Sequence, residues 1–456
     1  MIRSLLITLL VLVSIRLDAQ LDQELEETFQ AILDQDRNDW GYNGISAALI
    51  YPDGCTWSGT SGNSTGVDTI DSETLFQTNL CTQFFTAVLI LLLQEEGLLT
   101  IDDKFHHYID SIPFVDNSIT IRQLLNHSSG LELLVDFPEL EQLTSPENAD
   151  KVWHIDSLID QYIKPPVNNP GLGFYFSDLN YLLLGKIIEE VTENTFHLEL
   201  RHRIHDPLGL KNTFLAPYED FENKLAQSKN IFTGEIYFES VNSLLSSAWT
   251  GGAIISTPTD IVAFLRSLFK GEIISASSLS MMLDTIFIPP GSFGEWQGMG
   301  LGIGFIRYAD IPFNGETGFL FHRTRAYYSP ELDMGIATFL TELNGTDAFY
   351  RIVDVVKESL HFCEVTSTTD LKVDNSLAIY PNPANERMII DPGVEITNAW
   401  TLKIFNQVGQ LILERKNLHG LYTLDAALPG SGSYIVKVVS PKESIINIGR
   451  LVFQEN

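Results

Sequence analysis

The pattern of apolar and polar positions predicts a mixture of helices and strands over most of the chain. Apolar residues recur at helical spacing in residues 21–36, and the apolar run 44–51 predicts a buried strand. A Pro-Asp-Gly turn then leads into a second strand at 55–59, which predicts a hairpin. A long apolar helix is predicted from Thr82 to Glu96, because Gly97 supplies a stop signal.

The pattern changes towards the C-terminus. The pattern over residues 116–224 predicts mainly helices and loops, and the pattern over residues 251–361 predicts strands mixed with helices. The polar stretch 365–376 is typical of a linker. The strand runs beyond it are 377–379, 387–390, 402–405, 410–414, 421–425, 432–439 and 446–454. Turns rich in Gly, Pro and Asn separate them, which favours a small antiparallel β-sandwich.

The N-terminus has the pattern of a secretory signal peptide. Arg3 gives a positive start, residues 5–15 are apolar but too short for a membrane span, and Ala19-Gln20 forms a cleavage neighbourhood. An uncleaved anchor is the alternative. No later run of about 18 apolar residues predicts a transmembrane helix. The predicted divisions are a signal peptide at 1–20, a first domain at 21–364, a linker at 365–376 and a final domain at 377–456.

The composition of the chain argues against several classes of binding partner and of structural bond. The chain has 456 residues and a net charge of −31. Because Lys and Arg bind nucleic-acid phosphates, this charge argues against nucleic acid and against anionic membrane surfaces as partners. The three cysteines, Cys55, Cys81 and Cys363, are too few for a disulfide framework, and their odd number leaves at least one thiol unpaired. No residue spacing predicts a metal site, and no motif predicts a cofactor.

Several blocks of sequence together resemble one known family. They are residues 74–87, 94–103, 120–131, 206–210 and 251–260. In this order they resemble the serine β-lactamases and penicillin-binding-protein-like hydrolases, a group that includes class C β-lactamase relatives and D,D-carboxypeptidases. The resemblance covers about residues 22–362. It implies an α/β (α+β) fold of the β-lactamase/transpeptidase type, with helices flanking an antiparallel sheet and a helical subdomain.

The catalytic motif of that family is changed in this chain. The family pattern Phe-Arg-Ile-Gly-Ser-x-x-Lys aligns with residues 76–83, so Leu80 stands at the nucleophile position and Gln83 at the lysine position. The chemistry needs a nucleophile at a helix start, where free N–H groups and the helix dipole stabilise an oxyanion. It also needs a base one turn later. Leucine cannot attack a carbonyl group, and a glutamine amide cannot accept a proton from a nucleophile.

Two further motifs of the family are also changed. In the segment that resembles Tyr-Ser-Asn, Phe176 stands at the tyrosine position and Asp178 at the asparagine position. Phe176 has no hydroxyl group to shuttle a proton. Glu316 stands where the family has the His or Lys of His-Thr-Gly or Lys-Thr-Gly, and its negative charge is predicted to repel a substrate carboxylate or an oxyanion. His322 lies 6 residues further on, too far along a strand to replace it directly.

Other nucleophiles are weaker candidates. Cys81 lies near a helix N-terminus, which can lower the pKa of a thiol. One residue on a helix is a rotation of about 100°, however, which favours a buried, inert thiol. Tyr175 is adjacent to the tyrosine position, and its loop would have to re-aim the side chain. The Ser-x-x-Lys at 267–270 falls late in a helix, and His127 beside two serines is interpreted as part of a structural turn.

The C-terminal domain resembles a second family. Residues 380–384 read Tyr-Pro-Asn-Pro-Ala, residues 402–410 contain a central turn glycine, and residues 432–436 read Gly-Ser-Tyr-Ile-Val. This order resembles the C-terminal sorting domain (type A) of the type IX secretion system. It implies that residues 377–456 engage that secretion machinery in a Bacteroidetes-type bacterium, and that the protein is secreted or attached to the cell surface. A generic β-sandwich module is the alternative.

Three hypotheses about function follow from the sequence. The first is a non-catalytic relative of the hydrolases, whose cleft binds a peptide, glycan or protein. The second is an active esterase, D,D-peptidase or β-lactamase that uses Cys81 or Tyr175 in a rearranged site. The third is a surface structural or adhesion module whose cleft is filled by Leu80, Phe84 and Phe176. Whether the chain is an enzyme therefore depends on the side chains around position 80.

Overall fold

The computed structural model describes two compact units, which are treated separately below. The first extends from Glu26 to Val353, and the second contains the C-terminal strands. The described residues are 23–64, 69–221, 224–229, 236–237, 242–290, 294–342, 347–359, 378–380, 387–391, 399–405, 411–425, 432–439 and 445–453. The predicted signal peptide, 1–20, and the predicted linker, 365–376, lie outside them.

The helices begin where side chains can satisfy the free N–H groups of the first turn. Thr120 and Asp136 each form a capping box with the residue three positions later, and Thr257 caps the helix that starts at Pro258. The helices are α1 Gln23–Trp40, α2 Thr82–Glu95, α3 Ile121–Leu125, α4 Phe137–Leu143, α5 Ile155–Tyr162, α6 Asp178–Thr192, α7 Phe196–Leu200, α8 Asp206–Leu208, α9 Asn242–Gly252, α10 Pro258–Phe269, α11 Ala276–Met282 and α12 Asp347–Ser359. A 3-10 turn, Asn79–Cys81, leads directly into α2.

The strands of the first unit form one large antiparallel sheet and two small ones. They are β1 Gly44–Ile50, β2 Thr56–Gly62, β3 Phe76–Gln77, β4 Phe214–Leu215, β5 Ser228–Lys229, β6 Ile236–Tyr237, β7 Ile254–Ser256, β8 Ile286–Phe287, β9 Gly298–Met299, β10 Gly304–Tyr308, β11 Ile311–Leu320, β12 His322–Ser329 and β13 Met334–Leu340. The large sheet has eight strands in the order β2-β1-β13-β12-β11-β10-β9-β8. The predicted fold class, hairpin and long apolar helix are confirmed.

The two faces of the large sheet carry different layers. Alternate residues of β12 point to opposite faces. Tyr328 stacks on Phe269 of α10 with 4.4 Å between ring centroids, whereas Tyr327 lies 5.4 Å from the ring of Phe349 in α12. We call these the α10 face and the α12 face. Because residues directly opposite in an antiparallel pair share a face, this assignment extends to β11.

Helix α2 lies inside the helical layer. Nearly all of its residues are buried, which explains why its sequence is a continuous apolar run rather than an amphipathic pattern. It packs against α6 and α9. Phe84 and Phe85 both stack on Phe264 of α10, at 6.4 and 4.1 Å between centroids. Phe84 therefore belongs to the hydrophobic core, and the expectation that it fills a cleft is wrong.

The C-terminal unit is built entirely of strands in the residues described. They are β14 Ala378–Tyr380, β15 Arg387–Asp391, β16 Trp400–Phe405, β17 Leu411–Leu418, β18 Tyr422–Asp425, β19 Gly432–Val439 and β20 Ile445–Phe453. They form a three-stranded sheet, β14-β15-β18, and a four-stranded sheet, β17-β16-β19-β20. Apolar side chains of both sheets, including Met388 and Trp400, share one buried core. All seven predicted strand runs correspond to strands of the structure.

Candidate functional site

Leu80 occupies a sharply constrained turn at the start of α2. The residue before it, Asn79, adopts the left-handed conformation with φ +50°. Asn tolerates this conformation better than most residues, and its Nδ2 donates to the backbone oxygen of His322 at 2.9 Å. Gly318 of β11 lies so close that a Cβ there would come within 2.3 Å of Asn79 Cβ. The scaffold therefore still holds position 80 in the strained geometry typical of functional sites.

Gln83 follows Leu80 by one helical turn, as the sequence predicts, and both side chains point to the same side of the helix. Leu80 is half-buried and Gln83 is fully buried. The Gln83 Oε1 atom lies 3.1 Å from His127 Nε2, whereas its Nε2 atom has no hydrogen-bond partner among the described residues. The structure thus brings together the positions that the sequence predicts for the nucleophile and the lysine, and they carry an alkyl group and an amide.

His127 anchors a buried hydrogen-bond chain that the sequence did not reveal. Its Nδ1 accepts from the Ser177 backbone N–H at 3.3 Å and from Asn180 Nδ2 at 3.0 Å. Asn180 Oδ1 in turn accepts from the Ser129 hydroxyl at 2.6 Å. Nε2 must therefore carry the ring proton and donate it to Gln83 Oε1. Burial lowers the pKa of His127 to about 3, so the ring is neutral at physiological pH.

The second motif places its residues around His127 without a catalytic hydroxyl group. The Phe176 ring lies 4.7 Å from the His127 ring, which puts a phenyl group beside Gln83. The Tyr175 hydroxyl points elsewhere and donates to Glu132 Oε1 at 2.8 Å. Burial, reinforced by Glu132, raises the pKa of Tyr175 to about 12. Asp178 accepts from the Leu134 backbone N–H at 2.8 Å, and burial raises the pKa of its carboxyl to about 6.

Cys81 is a free, fully buried thiol in the 3-10 turn. Burial raises its pKa well above the ordinary value, and the nearby Glu316 carboxyl raises it further. The reactive form of cysteine is the thiolate, so this environment disfavours reactivity. The predicted unpaired thiol is thus Cys81, whereas Cys55 is disulfide-bonded.

Glu316 lies on the α10 face of β11, because it pairs with Ala326 of β12. Its side chain is 0% exposed, and no side chain among the described residues donates a hydrogen bond to its carboxyl oxygens. Burial raises the pKa of Glu316 well above its ordinary value, and the nearby N–H groups of Gly304 and Thr317 oppose this shift. The neutral acid is therefore favoured. The expectation of a permanent negative charge at this position needs correction, since it ignored the cost of desolvating a carboxylate.

His322 lies closer to the nucleophile position than its distance along the chain suggested. The chain reverses at Phe321, and β12 returns alongside β11. His322 Nδ1 accepts from the Gln77 backbone N–H at 3.0 Å. Burial lowers its pKa to about 4. The ring therefore supports the segment that leads into Leu80, and it does so as a neutral acceptor.

The remaining candidates have other partners. Lys270 of the late Ser-x-x-Lys pairs with Asp333, and the Ser128 hydroxyl donates to Asn126 Oδ1 at 2.7 Å. Within the described ranges, no group of three or more His, Cys, Asp or Glu side chains is arranged to hold a metal ion. No helix there is long and apolar enough to cross a membrane. What the arrangement offers is a buried cluster of amide and carboxyl groups, in which Asn79 Oδ1 and Gln83 Nε2 have no hydrogen-bond partner among the described residues.

Comparison with known proteins identifies the family. Residues 29–357 match the Beta-lactamase family, and residues 378–452 match the secretion system C-terminal sorting domain. Penicillin-binding protein 4 of Amycolatopsis lactamdurans is 26% identical over 279 residues, 57% of this chain and 69% of that protein. Teichoic acid D-alanine hydrolase of Staphylococcus aureus is 26% identical over 213 residues, 46% of this chain, and the chain spans only 50% of its length.

Solved structures give the same result. D-amino acid amidase from Ochrobactrum anthropi SV3 superposes with a TM-score of 0.65 at 26% identity, over 74% of this chain and 99% of the amidase. The octameric penicillin-binding protein homologue from Pyrococcus abyssi has a TM-score of 0.64 at 18% identity, over 94% of this chain and 96% of its own, and supports the fold alone. Since the family match covers most of the chain, this protein belongs to the β-lactamase family of serine hydrolases and carries a C-terminal secretion sorting domain.

Proposed function

We propose that this chain is an exported member of the family that does not catalyse acyl transfer, and that it binds a peptide, glycan or protein ligand in the former active site. The observation that carries the proposal is the pair Leu80 and Gln83 at the start of α2. Neither side chain can attack a carbonyl group or accept the proton. Loss of the nucleophile or its base in a serine hydrolase typically lowers turnover by about 10⁶.

The neighbouring groups do not supply a substitute pair. The Cys81 thiol is buried beside Glu316, which disfavours the thiolate. The Tyr175 hydroxyl is bound to Glu132, and its raised pKa makes it a poor proton acceptor for a nucleophile. His127 is a neutral imidazole whose Nδ1 already accepts two hydrogen bonds. The side chains of Cys81, Tyr175 and His127 therefore have structural roles and do not supply a nucleophile with its base.

The sorting domain supports export through the type IX secretion machinery, with release from the cell or attachment at its surface. A cleaved signal peptide at residues 1–20 would deliver the chain to that machinery, which in turn implies a Bacteroidetes-type bacterium. Mass spectrometry of protein from the culture medium and from the cell surface tests this part of the proposal. A mature N-terminus near Gln20 or Leu21 is expected, and an intact N-terminus would contradict it.

Two other functions compete with this proposal. One is a hydrolase with a rearranged nucleophile, since relatives of this chain are named teichoic acid D-alanine hydrolase and D-amino acid amidase. An iodoacetamide-sensitive esterase activity that Cys81→Ala abolishes would favour it. The other is a structural or adhesion module. Leu80 and Phe176 are half-buried and support a closed cleft, but Phe84 takes no part in closing it.

Covalent labelling tests the absence of acyl transfer. Purified full-length protein is incubated with a fluorescent penicillin and with a fluorophosphonate, and the intact mass is then measured. We expect no adduct on any residue, because no nucleophile and base are in contact around position 80. A stable adduct on a pocket residue would overturn the proposal.

A reversion series supplies the positive control. Leu80→Ser, Gln83→Lys and Phe176→Tyr together restore the family's reactive groups. We expect little acylation from this triple variant, because the Glu316 carboxyl would favour the protonated form of a nearby lysine. Adding Glu316→His should restore measurable acylation. Equal acylation with and without the fourth change would show that Glu316 does not act on position 83.

A further inference from the structure

Cys55 carries a disulfide bond and lies in the turn that joins β1 to β2. Its backbone N–H donates to Asp53 Oδ1 at 2.9 Å, and its backbone oxygen accepts from the Tyr51 N–H at 2.8 Å. The turn therefore holds the residue in place, and Cys55 is only 1% exposed. The site around Leu80 does not use this bond, so its partner and its role require an explanation.

The partner of Cys55 follows from the other two cysteines of the sequence. Cys81 is a free thiol in the 3-10 turn before α2, so it does not take part in the bond. A second copy of the chain does not fit as the partner, because a residue that is 1% exposed cannot present its sulfur to another molecule. The cysteine that remains is Cys363, which lies outside the described residues and one position before the end of the predicted first domain, 21–364.

The place of Cys363 in the chain gives the bond a mechanical role. Helix α12 ends at Ser359, four residues before Cys363, and the predicted linker and the sorting domain follow. The start of α12 is held by Asp36, whose Oδ2 accepts from the Ala348 backbone N–H at 3.1 Å. A bond at Cys363 holds the chain just beyond the other end of the helix. The fully buried side chains of α12 between these two points include Phe349, Ile352, Val353 and Val356.

We propose that a disulfide bond between Cys55 and Cys363 closes after export and clamps the C-terminal end of the first domain to its β1–β2 hairpin. The bond closes residues 55–363 into one covalent ring, so tension on an attached tail reaches the hairpin through the two sulfurs rather than through α12. The two thiols lose two protons and two electrons to a disulfide-bearing oxidant, which is reduced to a dithiol. Because disulfides persist in oxidising compartments, the inference rests on the export proposed above.

The burial of Cys81 protects this pairing. Disulfides rearrange when a thiolate attacks one of their sulfurs, so a reactive third thiol would scramble the bond. Cys81 is 0% exposed, and burial together with the Glu316 carboxyl raises its pKa well above the ordinary value. This environment disfavours the thiolate, and the odd thiol therefore does not compete for either partner.

Peptide mapping of the exported full-length protein tests the pairing. The protein is alkylated in denaturant without a reductant and is then digested, and the peptides are identified by mass spectrometry. We expect a pair of peptides that links Cys55 to Cys363, together with an alkylated Cys81. An alkylated Cys363, a link between Cys55 and Cys81, or a link between two copies of the chain would overturn the inference.

Thermal unfolding of alanine variants tests whether the bond stabilises the domain. Cys55→Ala and Cys363→Ala should each lower the unfolding temperature by roughly 5–10 °C. The double variant should unfold at nearly the same temperature as either single variant, because all three lack the same bond. Cys81→Ala is the control, and its effect should add to that of Cys363→Ala. A double variant of Cys55 and Cys363 in which the two losses add would contradict the pairing.

Hydrogen exchange tests the clamp itself. In Cys363→Ala the amides in the last turns of α12 should exchange about tenfold faster than in the wild-type protein, whereas those of β13 should not change. Equal exchange of α12 in the two proteins would overturn the clamp. The cellular location of the wild-type protein separates this inference from the proposed export. Exported protein with a free Cys363 contradicts only the pairing, whereas bonded protein that stays inside the cell contradicts only the export.

Discussion

Neighbouring residues of β11 face two polar environments that differ in how their buried groups are paired. On the α12 face, the Thr317 hydroxyl donates to Glu295 Oε1 at 3.0 Å, and Arg325 Nη1 donates to the two oxygens of Glu295 at 2.7 and 3.0 Å. Arg325 also donates to the Tyr350 hydroxyl at 2.6 Å. On the α10 face, Glu316 has no side-chain partner among the described residues.

The pKa values of Glu295 and Glu316 follow this difference in pairing. Burial alone would raise the pKa of Glu295, but the charge of Arg325 and the hydrogen bonds from Tyr350, Arg325 and Thr317 together hold that pKa below its ordinary value. Glu316 has no cation beside it, and burial raises its pKa. The comparison teaches that this fold keeps a buried carboxylate ionised where a cation is supplied, whereas burial without a cation favours the neutral acid of Glu316.

Breaking the ion pair between Glu295 and Arg325 on the α12 face should have the largest effect on the free energy of unfolding. Arg325→Leu leaves the Glu295 carboxylate without its cation and is expected to lower the free energy of unfolding by about 3 kcal/mol, because breaking a buried ion pair strands the other charge. Urea unfolding measures this value. In a protein that already carries Glu295→Gln, Arg325→Leu should lower the free energy of unfolding by a much smaller amount. An equal cost in both backgrounds would mean that Arg325 stabilises by packing on Phe349 and Tyr350 instead.

Two buried histidines provide a matched test of hydrogen bonding around the pocket. His127→Leu should lower the free energy of unfolding by about 2 kcal/mol, because it leaves Gln83 Oε1 and Asn180 Nδ2 without a partner. His205→Leu is the control, since the His205 ring is equally buried against Phe85 but neither of its nitrogens has a partner among the described residues. His205→Leu should lower the free energy of unfolding far less than His127→Leu does, or should raise it. Similar losses in both variants would show that ring packing alone matters.

Removing the unpaired acid should stabilise the protein. Glu316→Gln is expected to raise the free energy of unfolding by about 1 kcal/mol at pH 7. The folded-state pKa of Glu316 is raised above the ordinary glutamate value of 4.5, so the wild-type protein binds more protons when folded. Its stability relative to Glu316→Gln is therefore greatest below pH 4.5 and falls as pH rises towards the folded-state pKa. The urea midpoints of the wild-type protein and of Glu316→Gln are measured from pH 4 to 8. A difference between the two midpoints that stays constant over this range would refute the prediction.

An exposed ion pair should give the smallest effect. The Arg122–Asp102 pair has a 2.7 Å contact, but 71% of the Asp102 side chain is exposed. Asp102→Asn is expected to change the free energy of unfolding by less than about 1 kcal/mol, since water and salt screen such pairs. A loss as large as that of Arg325→Leu would mean that pairing, rather than burial, decides the difference between the two faces.

The fold was readable from the sequence because its signals are local. The continuous apolar run of α2, the Pro-Asp-Gly hairpin and the alternating strands of the C-terminal unit each specify their element within a few residues. The prediction that Leu80 and Gln83 stand at the nucleophile and lysine positions rests on a local motif of the same kind. The contact between Gln83 and His127 was not, since 44 residues separate them and no local pattern encodes their meeting.

The sequence by itself predicted that an alkyl group and an amide stand at the nucleophile and base positions of the family, and it determined that a sorting domain follows the first domain. Only the tertiary structure decided which neighbours these side chains have. It joined Gln83 to His127, brought His322 back beside the turn, and buried Glu316 without a side-chain partner among the described residues. The reason is physical: residue identity sets which reactions are possible, but burial and neighbours, which folding alone supplies, set charge states and unsatisfied hydrogen bonds.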